Sequence, residues 1–338
     1  VTSRAVAAGE GEDVTDLAAA PVWGLVRSAQ TENPGRFVLV DVDASDALLA
    51  EAVDSGEPQV AVRDGQLRVP RLSRATQAED KAVAGPDWSR GTVLITGATG
   101  ALGGVLVRHL VTEHGARRLL LLSRRGEQAE GAVELRQELA GLGVEVTFSA
   151  CDAADRDALA AVLAGVPADH PLTAVIHTAG VLDDGVVAAM SEEQLSRVLR
   201  PKVDAGWNLH ELTADLGLSA FVLYSSLAGL LGTAGQANYA AGNAFLDALA
   251  AHRRAIGLPA VSLAWGLWEE SSSLSGHLAE VDLQRMARMG LAPISSADAM
   301  AWFDAASATG EAVLAVTKLN TAALRARNTE PAPLLLRG

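Results

Sequence analysis

Thr92-Val93-Leu94-Ile95-Thr96-Gly97-Ala98-Thr99-Gly100-Ala101-Leu102-Gly103 decides the fold of this chain. An apolar run ends at Thr96, three glycines follow at a spacing of three, and a helical pattern continues from Gly104 to Thr112. A strand that turns straight into a helix leaves unpaired backbone N–H groups at the positive end of the helix dipole. Glycines let a pyrophosphate approach them closely. Thr96, Gly97, Thr99, Gly100, Ala101, Leu102 and Gly103 are therefore candidate contacts to a dinucleotide. The pattern is Gly-x-x-Gly-x-x-Gly rather than Gly-x-Gly-x-x-Gly, and strand before and helix after give it its meaning.

Outward from this loop the chain repeats strand and helix. Candidate strands are Thr92–Thr96, Arg118–Leu122, Val144–Ala150, Ala174–His177, Ala220–Ser225, Ala260–Ala264 and Ala312–Val316. Most are continuous apolar runs, as strands covered on both faces are. Between them lie candidate helices Gly104–Thr112, Ala132–Leu142, Ala154–Leu163, Ser191–Leu216, Gln236–Ile256 and Ala297–Ala308. The alternation predicts an α/β fold, a Rossmann-like doubly wound parallel sheet.

Residues 1–72 read as a smaller α/β unit. Ala18 to Gln30 and Ala44 to Val53 have helical patterns, and Arg36 to Val42 is β-rich. Gln59–Arg63 and Gln66–Val69 flank Asp64-Gly65, a strong hairpin signal. No glycine-rich strand-to-helix turn occurs here, so no cofactor site is expected. Residues 73–91 read as a linker, 92–327 as the cofactor-binding unit and 328–338 as a second linker. The formal net charge of −14 counts against nucleic acid and anionic membrane as main partners. The single cysteine, Cys151, excludes an intrachain disulfide and a thiolate metal cluster. No apolar run reaches the length of a membrane span, and no metal site is read from the sequence. The composition predicts a soluble, cytoplasmic protein.

The end of the second strand selects the cofactor. An acidic residue there would hold the ribose 2′-hydroxyl of NAD. Here Ser123-Arg124-Arg125 follows Leu119-Leu120-Leu121-Leu122. Arginine binds a 2′-phosphate through paired charge-assisted hydrogen bonds, so NADPH is expected. Asp152 has two readings, an acceptor for the adenine amino group or the N-cap of the following helix.

In a parallel sheet the carboxyl ends of the strands line one crevice. Three segments converge there. Tyr224-Ser225-Ser226 ends the fifth strand, Tyr239 and Asn243 stand one helical turn apart, and Lys202 lies in the long helical segment before them. Ketone reduction needs a proton for the carbonyl oxygen. Tyr239 can donate it, Lys202 can stabilise the phenolate, Ser226 can polarise the carbonyl, and Asn243 can anchor a relay.

These residues resemble the ketoreductase domain of modular type I polyketide synthases, within the short-chain dehydrogenase/reductase superfamily. The resemblance runs through the glycine loop, Ser123-Arg124-Arg125-Gly126, Cys151-Asp152, His177-Thr178-Ala179-Gly180-Val181-Leu182-Asp183-Asp184, Pro201-Lys202-Val203, Ser225-Ser226, Tyr239-Ala240-Ala241-Gly242-Asn243 and Ala264-Trp265-Gly266. Lysine and asparagine are exchanged relative to most of the superfamily, as in polyketide ketoreductases. The resemblance implies that Cys151, His177, Ala179, Gly180, Lys202 and Tyr239 also meet the cofactor. It makes residues 1–72 a truncated Rossmann-like structural subdomain. It implies a β-ketoacyl substrate on an acyl carrier protein and further polyketide synthase domains as partners.

Leu182-Asp183-Asp184 resembles the marker of B-type domains, which give a D-configured alcohol; a helix-capping turn is the other reading. The A-type tryptophan position is Leu231, and the histidine position before the tyrosine is Gln236. Ala241 stands where epimerising domains have proline, so B1-type is expected. Trp265 is grouped with these candidate substrate residues. Leu267 to Met289 resembles the substrate lid. Two alternatives remain open: an epimerase or dehydratase on the same fold, against which the Tyr-x-x-x-Asn spacing counts, and a catalytically silent scaffold.

Overall fold

The computed structural model describes residues 1–43, 48–75, 85–269, 290–320 and 335. Two main sheets organise them. The first holds β1 (Thr2–Ser3), β2 (Leu39–Val42), β3 (Gln59–Arg63) and β4 (Gln66–Arg68) in that order, with helices α1 (Ala20–Glu32) and α2 (Leu49–Asp54). Its first three strands are parallel, and β4 returns antiparallel through Asp64-Gly65. Both turn residues have positive φ, 51° and 70°, as the twist-matched two-residue hairpin requires. The strand expected from Arg36 begins only at Leu39, and Phe37 and Val38 are exposed. Helix α2 begins at Leu49; residues 44–47 of the expected helix lie outside the described residues.

The second sheet is built from β5 (Thr92–Thr96), α3 (Ala101–Thr112), β6 (Arg118–Ser123), α4 (Ala132–Gly141), β7 (Glu145–Ala150), α5 (Arg156–Ala164) and β8 (Leu172–His177). The chain continues through α6 (Glu192–Leu199), α7 (Val203–Thr213), β9 (Ala220–Ser226), α8 (Leu227–Leu231), α9 (Ala237–Ala255), β10 (Val261–Trp265), β11 (Leu291–Ala292), α10 (Ser296–Ser307), β12 (Val313–Val316) and β13 (Lys318–Leu319). Seven parallel strands lie in the order β7-β6-β5-β8-β9-β10-β12. That is the doubly wound Rossmann order, reversing between β5 and β8.

Strand alternation sends Val93, Ile95, Leu121, Val222 and Leu263 to the face covered by α3, α4 and α10. Leu94, Leu120, Val175, Phe221 and Leu223 go to the face covered by α7 and α9. Trp88, inside the expected linker, is buried in the first of these cores, its ring 5.8 Å from that of Phe303. No helix among the described residues is long and apolar enough to cross a membrane.

One helical expectation is corrected. Ser191–Leu216 is not continuous: α6 ends at Leu199 and α7 begins at Val203. Pro201 sits in the break, where a missing N–H and a ring that crowds the preceding turn end a helix. Lys202 is thus not inside a helix but stands at the N-cap position of α7, its side chain directed elsewhere.

The N-terminal unit docks through α1 on α9. At Gly24 an added Cβ would stand 2.1 Å from the carbonyl oxygen of Ala240, so only glycine permits this crossing. Gly24→Ala should therefore force the helices apart. At the ~1–3 kcal/mol typical of overpacking, Tm falls by several degrees, readable by calorimetry. Substitution at Gly35, whose Cβ would meet nothing within 4 Å but whose φ is 76°, should cost only local strain.

Candidate active site

A cleft of about 740 Å³ opens at the carboxyl ends of β5, β6, β7 and β8, beside the point where strand order reverses. Its walls include Thr96, Gly97, Thr99, Gly100, Ala101, Leu102, Gly103, Ser123, Arg124, Arg125, Cys151, Asp152, Ala179 and Gly180. A Cβ at Gly103 would lie 2.3 Å from the Gly97 carbonyl oxygen, and Gly97 itself has φ of 71°. The first turn of α3 therefore presses directly on the loop that precedes it. Gly100 occupies the N-cap and no side chain caps the helix, which leaves its first N–H groups to face the cleft. This cradle fits a pyrophosphate.

At the other end of the cleft the chain turns sharply at Gly126, where φ is 52° and a Cβ would stand 2.9 Å from the Ala150 nitrogen. That turn presents Arg124 and Arg125, both exposed. Neither guanidinium has an ion-pair or hydrogen-bond partner among the described residues, so both are available to an anionic ligand. Cys151 is buried, and burial pushes its thiol up. Asp152 does not cap α5. Asp155 does, its side chain accepting from the Ala158 nitrogen at 3.1 Å. Asp152 instead accepts from the Ala154 nitrogen at 3.1 Å and pairs with Arg200 at 3.2 Å.

His177 is placed behind the cleft, not in its wall. It is fully buried, with Thr96 Oγ1 2.7 Å from Nδ1 and the Pro201 carbonyl 2.8 Å from Nε2. Burial, helped by the nearby Lys202 charge, lowers its pKa to about 3, so it is neutral at working pH. Donation from Nε2–H to Pro201 then makes Nδ1 the acceptor for the Thr96 hydroxyl. The imidazole ties β8 to the residue that precedes the lysine.

Ser226 ends β9 and caps α8, its hydroxyl accepting from the Ala228 nitrogen at 3.2 Å. Tyr239 stands in the first turn of α9. Asn243 is buried one turn later and donates its Nδ2 to the Tyr239 carbonyl at 2.8 Å. Lys202 enters from the α6–α7 break. Gly242 and Gly180 leave it room: a Cβ at either would stand 3.0 Å or 3.1 Å from its side chain. Its Nζ donates to the Tyr224 carbonyl at 2.8 Å and lies 5.5 Å from the centre of the Tyr239 ring.

Burial lowers Lys202 to about 8, against the pull of Asp247. Burial also pushes the Tyr239 phenol up, opposed by Asn243 and Ser226 and assisted by Asp184. Below about pH 8 the site thus holds a protonated phenol beside an ammonium, the form that donates a proton. If this pair acts, kcat should fall as pH rises through about 8. A pH–rate profile lacking that descending limb would remove Lys202 from the chemistry.

The stereochemical candidates meet at one rim. Gln236 Nε2 donates to Asp184 at 3.0 Å, and Asn238 Nδ2 donates to the Asp183 carbonyl at 2.8 Å. Asp183 pairs with Arg197 at 2.8 Å. Leu182-Asp183-Asp184 is therefore stitched to the start of α9 and is the N-cap of no helix among the described residues; Ser191 caps α6 through a capping box. Leu231 ends α8. Trp265 does not join them: it is buried between Tyr224 and Trp268 on the opposite face of the sheet. The expected lid from Leu267 lies, beyond Glu269, outside the described residues up to Gly290.

Sequence reasoning missed several residues. Arg197, Arg200, Thr178 and Val181 also line the cleft; the Arg200-Pro201-Lys202 run was the available signal. Glu32 of the N-terminal unit accepts from the Gly235 nitrogen and, with its other oxygen, from the Val187 nitrogen, both at 2.9 Å. Arg27 donates to the Gly229 carbonyl at 2.7 Å. The loop from α8 to α9 is thus held from outside the sheet that carries the site. No local pattern marks such partners, which lie more than 150 residues away.

Comparison with known proteins agrees with this architecture. The KR domain family matches residues 91–270, and the "Polyketide synthase extender module SpnB, Rossmann fold domain" family matches residues 1–72. Polyketide synthase GfsA of Streptomyces halstedii is 56% identical over 339 residues, covering all of this chain and 4% of that protein. Mycoketide-CoA synthase of Mycobacterium tuberculosis is 57% identical over 71% of this chain and 6% of its own length. The chain thus spans a small part of these relatives. A solved A1-type ketoreductase superposes with a TM-score of 0.90 at 41% identity, over 99% of this chain and 72% of that one. A solved C2-type ketoreductase gives 0.87 at 35% identity, over 99% and 73%. With a Rossmann sheet and with family, sequence and structural matches at this level, the chain belongs to the ketoreductase domain family of modular polyketide synthases, within the short-chain dehydrogenase/reductases.

Proposed function

We propose that this chain uses NADPH to reduce the β-keto group of an acyl-carrier-protein-bound polyketide intermediate, giving a D-configured β-hydroxyl. The observation that carries the reading is the convergence of Tyr239, Ser226, Lys202 and Asn243 beside a glycine-lined cleft, with Lys202 packed against Gly180 of its wall. NADPH, when bound, supplies the hydride for the carbonyl carbon. Tyr239 Oη then gives its proton to the carbonyl oxygen, and the Ser226 hydroxyl donates a hydrogen bond to the same oxygen. Lys202, fixed on the Tyr224 carbonyl, holds its ammonium near the Tyr239 ring and favours the phenolate left behind. Asn243 fixes the Tyr239 backbone. Arg124 and Arg125 supply the charge for a 2′-phosphate, which supports NADPH over NADH. The rim of Asp183, Asp184 and Gln236 supports B-type facial control. Residues 1–72 serve as a cofactor-free structural unit, and the whole works in the cytoplasm beside other synthase domains.

The test supplies a β-ketoacyl thioester and NADPH, follows cofactor oxidation and determines the configuration of the product. One D-configured alcohol per NADPH is expected. No oxidation would favour a silent scaffold, and an L-configured alcohol would overturn the B-type assignment alone.

A further inference from the structure

Away from the cleft, the last turn of α3, the bend after it and helix α10 bring three metal-ligating side chains together. His109 and His114 both direct Nε2 at the carboxylate of Asp304, at 3.0 Å and 2.7 Å from Oδ1. The imidazole rings stand edge to face with centres 5.0 Å apart. We infer that His109, His114 and Asp304 form a binding site for a divalent transition-metal ion of the zinc class, joining α3 to α10.

The three positions are fixed before any ion arrives. His109 lies in a helix whose neighbours Leu106, Val107 and Leu110 are buried. His114 precedes Gly115, at φ of 65°, and the buried Ala116, whose nitrogen returns to the Leu110 carbonyl at 2.9 Å. Asp304 follows Phe303, which is fully buried and meets the His109 ring edge to face. The three ligand atoms all lie within 4.8 Å of one another. Zinc–ligand bonds of about 2.0–2.2 Å in a tetrahedron separate ligand atoms by roughly 3.4 Å, so the two histidine–aspartate separations of 3.0 Å and 2.7 Å would widen by about 0.4–0.7 Å around an ion. The side chains keep 13%, 27% and 36% exposure, which leaves an entry path and room for water as a fourth ligand.

Two imidazoles with one carboxylate suit zinc, nickel or cobalt, whereas magnesium and calcium prefer oxygen donors. Binding requires each Nε2 to offer its lone pair, with the ring proton on Nδ1, so acid must weaken it. The ion would brace the end of α3 remote from the glycine loop and enter no step of the reduction.

The experiment titrates the chelator-treated chain with Zn²⁺ by calorimetry, with Co²⁺ absorption as a second readout. One equivalent should bind saturably, raise Tm by a few degrees, and show tetrahedral cobalt bands. His114→Ala and Asp304→Asn should weaken binding at least tenfold while their metal-free Tm stays near that of the parent. His170→Ala, elsewhere on the surface, should change nothing. No binding up to about 1 mM, or binding equal in parent and both variants, overturns the site and leaves Asp304 as a hydrogen-bonded partner of two histidines.

Discussion

Tyr239→Phe is expected to lower kcat by about 10²–10⁴-fold, the contribution of a positioned general acid, with NADPH affinity unchanged within twofold. The substitution deletes one hydroxyl from a residue whose backbone is held independently. Its carbonyl accepts from Asn243, and its nitrogen donates to the Asn238 side chain at 2.8 Å. The pyrophosphate cradle is built from another part of the chain, by Gly97, Gly100 and Gly103. Stopped-flow turnover and a fluorescence titration of NADPH separate the two effects. Loss of affinity together with turnover would mean that the phenol holds the cofactor and that another group donates the proton.

Arg124→Ala should weaken NADPH by roughly 10–100-fold, the range of a lost hydrogen bond to a charged group, and leave NADH nearly unaffected. The guanidinium is exposed on the turn that Gly126 forces, and no partner among the described residues competes for it. Removing it therefore strands no buried group and should barely change Tm. The comparison of two cofactors that differ in one phosphate is an internal control. Equal loss of both would place Arg124 on the pyrophosphate or in the fold. The Arg124→Ala/Arg125→Ala double variant shows whether the neighbour shares the load.

Much of this was legible in the chain because the signals are local. The strand-to-helix turn at Thr96-Gly97 and the Asp64-Gly65 hairpin depend on a few consecutive residues with restricted backbone angles. Apolar runs such as Leu119–Leu122 located the sheet because both its faces are covered. What was misread depends on competition between distant groups. The pattern from Ser191 to Leu216 is helical throughout, yet Pro201 breaks it and so aims Lys202 inward. Trp265 ends a strand in register with Ser226 and shares its face of the sheet, but its ring is buried between Tyr224 and Trp268, away from the cleft. Asp152 stands just before the candidate helix, but the backbone path brings Asp155, not Asp152, to its start.

The carboxylate of Glu32 bears on how such chains can be recombined. It grips two loops of the catalytic sheet at once, one just before Tyr239 and one just after Asp184. A transplant that started at residue 91 would carry the cradle and the Ser–Tyr–Lys–Asn cluster but leave this grip behind. The Gly235 and Val187 nitrogens would then depend on whatever the recipient places on its own first helix. A unit of exchange that keeps both contacts therefore begins before Ala20, and a seam between the two sheets severs them.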